Sequence, residues 1–299
     1  MSIRLNPNPL PNLLAAIQQS EQNANIATQQ LSSGRRVNQL SDDPAAASSV
    51  VLNHAKSGQD DQFLQNNNTL QPRLQVADSS LSDVVTALTR ALSLGTEGAN
   101  GTLNGSDRQA IAVEVQGIQS QLVSLANASY QGTYLFGGTA VGAQPFTLDP
   151  STGTVTYNGN TGVASTQISD GNSIQTNLPG SQLFQNASGN VFTAIQDLNT
   201  ALQTNTNIGG AVTEIQSALS TISTQRVFYG NALNQITSSE DFLNQDKVNL
   251  SSQENSLIGA DLATASSNLV RAQTAEQATL NAAGRTLSLP NLLSYLPPP

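Results

Sequence analysis

Two stretches of this chain carry apolar side chains at alternating steps of four and three. The first is Leu70, Leu74, Ala77, Leu81, Val84 and Leu88, continuing to Ala91 or Leu92. The second is Ile215, Leu219, Ile222, Arg226, Tyr229, Leu233, Ile236, Glu240 and Leu243. This spacing keeps one stripe on one face of a helix, and such a stripe needs a partner helix. The late stripe is the natural partner of the early one. The spacing therefore predicts a mainly α chain that runs out along a long antiparallel helical rod, forms a small β-rich tip, and returns. That shape suits an assembly subunit better than a catalyst.

Composition agrees with a thin rod. Hydrophobic residues make up 37% of the 299 residues and aromatics 4%, with no Trp. A rod buries a narrow seam and needs fewer large apolar residues than a compact globule. Only 10% of residues are charged, so close packing of like subunits meets little repulsion. The net charge of -9 and pI near 4.4 oppose a nucleic-acid role, because phosphate binding draws on clustered Lys and Arg. With no Cys, disulfides, thiolate metal sites and thiol catalysis are excluded. No apolar run approaches the roughly 20 residues of a membrane span, so no membrane insertion is expected. Residues 1–14 do not read as a cleavable secretory signal.

Along the chain, Leu10, Leu14, Ile17, Ala24 and Leu31 lie at helical spacing, but Glu21 and Thr28 interrupt the stripe. Gly34 is placed as a C-cap. Asp43 before Pro44 reads as an N-cap with proline in the first turn. The helix that follows is predicted to run to about Leu94, with a bend or break near Leu70 caused by Pro72. A glycine- and asparagine-rich turn spans 95–105, and Ser106 with Gln109 forms a capping-box pattern for the next helix. Its stripe is Ile111, Val115, Ile118, Leu122 and Leu125. From Ser129 the pattern turns β-prone, with Tyr130, Tyr134 and Phe136 as a helix-to-sheet anchor. Asn158-Gly159 and Asp170-Gly171 are hairpin signals, and Thr154 to Tyr157 a strand-like run. Asn190 caps a short helix, Gly209-Gly210 is a break, and the return helix carries its seam past Leu243 through a stutter.

The residue types that carry chemistry are almost missing. His54 is the only histidine, and on a helix it reads as a surface or packing residue. The acid pairs Asp42/Asp43, Asp60/Asp61 and Glu240/Asp241 are read as capping for the first and solvated helix faces for the others. No phosphate-cradling loop or metal-ligand spacing occurs. No catalytic, cofactor-binding or metal residues are predicted, and no cofactor.

The segment QQLSSGRRVNQLSDDPAAASSV, residues 29–50, resembles the N-terminal signature of the bacterial flagellins and their junction relatives. Its Asp-Asp-Pro-Ala-Ala element is closer to the junction branch than to flagellin itself. The runs NGTLNGSDRQAIAVEVQGIQSQLVSLANASYQGTYLFGGT and SSNLVRAQTAEQATLNAAGRTLSLPNLLSYL are similar to the same branch. The likeness covers roughly residues 10–139 and 211–296. Pro7 to Pro11, Pro297 to Pro299 and the β region depart from it.

The resemblance implies a flagellin-like organisation. Residues 1–40 and 255–299 would form a terminal coiled-coil inner domain, disordered before assembly. Residues 41–136 and 190–254 would form the helical rod, and 137–189 a small β-rich tip. The assembly interface would be carried by Leu10, Leu14, Ile17 and Leu31 at one end and by Leu269, Leu280, Leu287, Leu292 and Leu293 at the other. Asp42, Asp43 and Pro44 would form the spoke and helix cap. The implied function is a structural adaptor at the hook–filament junction that templates flagellin assembly. Its partners would be flagellin, hook-associated protein 1 on the hook side, copies of itself in a ring, and the export chaperone and type III export apparatus. It would be secreted and would reside in the bacterial flagellum. The nearest alternative is a short flagellin forming the filament body. A hydrolase housed in the β region would need catalytic residue types the chain lacks. A surface adhesin would need an export signal or anchor.

Overall fold

The computed structural model describes residues 10–287. The described elements are helices α1 (Leu10–Ser33), α2 (Pro44–Gly98) and α3 (Gly105–Ala126), then strands β1 (Ser129–Tyr130), β2 (Thr133–Tyr134), β3 (Phe146–Leu148), β4 (Val155–Tyr157), β5 (Ser165–Ser169) and β6 (Asn172–Gln175). A short helix α4 (Gly180–Phe184), strands β7 (Gln185–Asn186) and β8 (Gly189–Asn190), and helices α5 (Val191–Thr204), α6 (Ile208–Ile258) and α7 (Leu262–Leu287) complete the order. The chain divides into two compact units, one from residues 1–58 and 247–299 and the other from 59–246.

The larger unit holds one continuous core. Leu70, Leu74, Ala77, Leu81, Val84, Leu88 and Ala91 are all buried, so the first stripe lies on a single helix face and takes Ala91 rather than Leu92 at its end. Ile215, Ile222, Tyr229 and Ile236 are buried in the same cluster, with Leu219 and Leu233 packed against it. Arg226, a polar residue in the second stripe, is matched across the pair. Its Nε and Nη2 donate to the two carboxylate oxygens of Asp78 at 3.0 and 3.1 Å. Further along, Asn67 Nδ2 donates to Ser239 Oγ at 3.3 Å, so the partners advance in opposite directions and the pairing is antiparallel. A bidentate pair of this kind pins the register of two helices as well as joining them. The Asp78 hydrogen bonds also raise the Arg226 pKa against the opposing effect of burial.

Pro72 does not break α2, which is continuous from Pro44 to Gly98. The proline removes one helical hydrogen bond, but buried Leu70 and Leu74 on either side hold the helix to the core. The helix also runs past Gly95. Added Cβ atoms at Gly95 and Gly98 would lie 2.8 Å from Val212 and 2.2 Å from Leu202. The glycines thus let α5 and the start of α6 sit directly on the last turns of α2. The capping box of α3 lies two residues upstream of Ser106. Asn104 Oδ1 accepts from the Asp107 N–H at 2.9 Å, and Asp107 reaches back to the Asn104 N–H. At the other predicted cap, Asn190 Oδ1 accepts from the N–H groups of Phe192 and Thr193. The following break falls at Asn205 and Asn207, whose φ values are 53° and 55°. Gly209 and Gly210 belong to the first turn of α6.

The β region is four separate antiparallel hairpins rather than one sheet. Asp170-Gly171 does turn a hairpin, between β5 and β6, with Gly171 at φ 68°. Asn158-Gly159 instead follows β4 and turns none. Ile168 is fully buried, and its carbonyl accepts from Ser239 Oγ on α6 at 2.7 Å. The other hairpins gather around Phe146, whose ring centroid lies 5.0–5.3 Å from those of Tyr157, Phe184 and Phe192. Leu135 and Phe136, next to the β1–β2 turn, are buried in the same core, as expected of the helix-to-sheet anchor.

Candidate assembly surface

The smaller unit has a different balance. Its buried apolar residues are Ala27, Val37, Ala46, Ile258, Ala265 and Ala272. Along α1 the face turned to α7 follows Ile17, Ser20, Ala24, Ala27 and Leu31, of which only Ser20 and Ala27 are buried. Along α7 the facing positions are Ala265, Leu269, Ala272, Glu276, Thr279 and Ala283. Both sets keep steps of three and four, so the two helices pair through small side chains. Small residues bury little area, and the free energy of burial scales with that area.

The predicted interface residues fall in three groups. Ile17, Leu31 and Leu269 are half-buried in the α1–α7 seam. Leu14 and Leu280 lie off it, 58% and 50% exposed. Leu10 begins α1 and Leu287 ends α7, while Leu292 and Leu293 lie outside the described residues. Among the described residues, thirteen large apolar side chains are strongly exposed, and nine belong to this smaller unit. They include Leu14, Ile26, Val270 and Leu280 on the helix pair and Leu40 on the connecting loop. The larger unit carries the other four. Beside Ile26 a groove of about 470 Å³ runs between the helices, lined by Ser20, Asn23, Ala27, Asn268 and Arg271.

The two helix breaks of this unit are clasped together. Gly34, at φ 67°, donates its N–H to the Gln30 carbonyl and ends α1, as its C-cap assignment requires. The chain then forms an antiparallel bridge between Arg35 and Gly259. The Arg36 N–H donates to the Ile258 carbonyl at 2.6 Å, and the Ala260 N–H donates to the Gly34 carbonyl at 2.9 Å. The Arg36 guanidinium donates to the Leu257 carbonyl at 2.8 Å and to Asp43 at 3.1 Å. Glu254 meets both Arg35, at 3.5 Å, and His54, at 3.0 Å. The lone histidine is therefore an exposed surface residue with an acidic neighbour. The stutter expected after Leu243 is a real interruption: α6 ends at Ile258, and Asp261 caps α7 through the N–H groups of Ala263 and Thr264. The Gly259-Ala260-Asp261 punctuation carries this signal in the sequence.

Three carboxylates hold these breaks. Asp43 accepts from the Ala46 N–H at 3.0 Å and caps α2. Asp42 accepts from the N–H groups of Asn38 and Gln39, both at 2.9 Å, and shapes the loop instead of capping a helix. Hydrogen bonds to the ionised form hold all three acids below the ordinary carboxylate range. They come foremost from the Gln39 N–H for Asp42, the Ala46 N–H for Asp43 and the Thr264 hydroxyl for Asp261. An acid with a lowered folded pKa contributes stability that is complete above its unfolded pKa of about 3.9 and is lost as pH falls through the folded value. The contribution of these carboxylates to the clasp is thus expected to be complete at neutral pH and to be lost below about pH 4. Carboxyl NMR titration should give midpoints for all three below that of a model-peptide aspartate, and Asp42→Asn should flatten the acid side of the stability curve. Midpoints at the model-peptide value would refute this.

The other two predicted acid pairs each divide between a buried or half-buried member and an exposed one. Asp60 is buried, against the solvated reading. Its neighbour Asp61 is exposed, as is Asp241. Glu240 is half-buried, and desolvation, then Asp241, raises its pKa. Among the described residues no cluster of three or more His, Cys, Asp or Glu side chains could hold a metal. No described helix is long and apolar enough to cross a membrane.

Known proteins resemble the chain on both sides of the β region. The family model for the bacterial flagellin N-terminal helical region matches residues 8–141, and that for the C-terminal helical region matches 212–296. Flagellar hook-associated protein 3 of Escherichia coli is 26% identical over 280 residues, covering 85% of this chain and 87% of that protein. Flagellar hook-associated protein 3 of Salmonella typhimurium is 33% identical over 163 residues, 54% of this chain, and the match spans only half of that protein's length. The crystal structure of flagellar hook-associated protein-3 from Legionella pneumophila superposes with a TM-score of 0.64 at 16% identity, over 70% of this chain and 98% of that one. At that identity the superposition speaks for the fold. The two family models together span more than half of the residues, and the chain belongs to the bacterial flagellin family, where it is similar to the hook-associated protein 3 members.

Proposed function

We propose that this protein is a structural adaptor at the hook–filament junction of the bacterial flagellum, one that templates flagellin assembly. The observation that carries the reading is the smaller unit: it pairs α1 with α7 through alanines and leaves nine large apolar side chains exposed. A surface of that kind is completed by neighbouring chains. The junction role, rather than that of a filament subunit, is supported by likeness to hook-associated protein 3 across most of the chain.

On this reading Leu10, Leu14, Ile17 and Leu31, with Leu269, Leu280, Leu287, Leu292 and Leu293, face other subunits of the assembly. Residues 1–40 and 255–299 form its inner layer, 41–136 and 190–254 the helical body, and 137–189 the β-rich tip. Asp42, Asp43 and Pro44 set the spoke between inner layer and body. The partners are flagellin on one side, hook-associated protein 1 on the other, copies of the chain in a ring, and the export chaperone and apparatus that deliver it as a secreted protein. The role is mechanical, and the protein is not an enzyme.

Immunogold labelling of intact flagella with an antibody against residues 137–189 tests the reading. A narrow band where hook meets filament is expected. Label along the whole filament would make the chain a short flagellin.

A further inference from the structure

Three Asn-Gly pairs occur in the sequence, at Asn100-Gly101, Asn104-Gly105 and Asn158-Gly159. In each, the glycine nitrogen can attack the preceding side-chain amide, because no Cβ hinders it. The bond that forms joins the glycine backbone nitrogen to the asparagine Cγ; the glycine N–H proton is lost and the amide nitrogen leaves as ammonia. Water then opens the succinimide at either carbonyl to give aspartate or isoaspartate. No other co-reactant is needed. The structure places the three pairs in unlike surroundings.

We infer that Asn100 is a built-in site of spontaneous deamidation, and that the other two pairs are protected by the fold. Asn100 and Gly101 are both exposed, in the turn between α2 and α3. Asn100 Oδ1 accepts from the Thr102 N–H at 3.1 Å and from Thr102 Oγ1 at 3.0 Å. This oxygen becomes the oxyanion when Cγ is attacked, so two donors already stand where charge develops. Among the described residues the Gly101 N–H donates to no backbone or side-chain acceptor, and nothing lies within 4 Å of its Cβ position. The nucleophile is free, and the electrophile is polarised.

Asn104 differs because its Oδ1 is the N-cap of α3, bonded to Asp107 three residues on. An N–H bond to Oδ1 is common to Asn100 and Asn104, but Gly105 is already the first residue of α3, so turning its peptide to bring the nitrogen onto Cγ must unwind the capped end of a helix, whereas Gly101 lies in an open turn. Asn158 differs because its leaving nitrogen is tied to Thr147 Oγ1 at 3.1 Å. The Cβ position of Gly159 also lies 2.5 Å from the Tyr157 ring, so the peptide has little room to rotate. Reaction at Asn100 adds one negative charge to a chain of net charge -9. As isoaspartate it also lengthens the turn by one backbone atom, where the Leu103 N–H donates to the Asn100 carbonyl at 3.2 Å and Leu103 packs on the core.

The test is incubation of the full-length protein at 37 °C and pH 8, followed by peptide mapping with mass spectrometry that separates aspartate from isoaspartate. Asn100 is expected to convert at least about tenfold faster than Asn104 or Asn158, a barrier difference set by local geometry. In urea the three rates should converge. Thr102→Val, which removes the hydroxyl donor, should slow Asn100 by about three- to tenfold, and Thr102→Ser should keep the native rate. Equal rates at the three pairs in the folded protein would overturn the inference, as would a rate at Asn100 no faster than in urea for the Thr102→Val and native chains alike.

Discussion

Phe146→Ala is expected to destabilise the larger unit by about 3–5 kcal/mol, the range for deleting a fully buried aromatic ring. Phe146 is 0% exposed and touches the rings of Tyr157, Phe184 and Phe192. The ring also lies 2.6 Å from where a Cβ on Gly180 would stand, so it bears on the start of α4. Its backbone is fixed by one residue at the end of α3: the Phe146 N–H donates to Asn127 Oδ1 at 2.9 Å, and Asn127 Nδ2 donates to the Phe146 carbonyl at 2.8 Å. Strand β4 and helices α4 and α5 therefore meet at the side chain of one β3 residue, and a cavity there has rigid walls. Urea unfolding followed by circular dichroism measures the loss. Phe146→Leu, which refills most of the volume, should lose roughly 1–2 kcal/mol. An alanine variant within about 1 kcal/mol of the native chain would mean the site collapses around the cavity.

The helical stripes of the larger unit were legible because their signal repeats. Seven successive positions from Leu70 to Ala91 share one face, and no single residue decides the pattern. Arg226 in the second stripe was legible as an interruption, but its partner Asp78 stands 148 positions away, beyond any local pattern. Pro72 misled for a related reason. Local propensity predicts a bend or a break, and the break does not occur because the buried residues on both sides outweigh one missing hydrogen bond. The hairpins were readable only where turn chemistry is strong: Asp170-Gly171 turned one, whereas Gln131-Gly132 turns β1 into β2 without such a signal.

The α1–α7 seam was legible in part: Ile17, Ala24, Leu31 and Leu269 lie on it, whereas Leu14, Glu21 and Thr28 are exposed. Leu14 and Leu280 are the more apolar residues, so a hydrophobic pattern selects them, yet the positions that bury are Ser20, Ala27, Ala265 and Ala272. Small side chains let two helices approach closely and leave the large ones outside. The clasp at Gly34 and Gly259 escaped for a different reason. Its bonds run between backbone groups more than 200 positions apart, and backbone groups have no sequence signature.

If the exposed leucines and isoleucines of the smaller unit serve neighbouring chains, folding and assembly separate cleanly at Ile26 and Leu280. These side chains are 54% and 50% exposed. Ile26→Asp and Leu280→Asp should each leave thermal unfolding within about 0.5 kcal/mol of the native value, the usual cost of a surface change. In the assembly the same carboxylate would be enclosed without a partner, at a cost of several kcal/mol per subunit. Cells carrying either variant are expected to build hooks and export flagellin into the medium while bearing few or no filaments, scored by electron microscopy. Ala27→Leu is the internal contrast. Ala27 is 2% exposed, so overpacking there should cost about 1–3 kcal/mol in the isolated chain and disturb folding before assembly. Normal filament numbers with both aspartate variants would remove α1 and α7 from the assembly surface, and the exposed apolar residues of the smaller unit would then need another occupant.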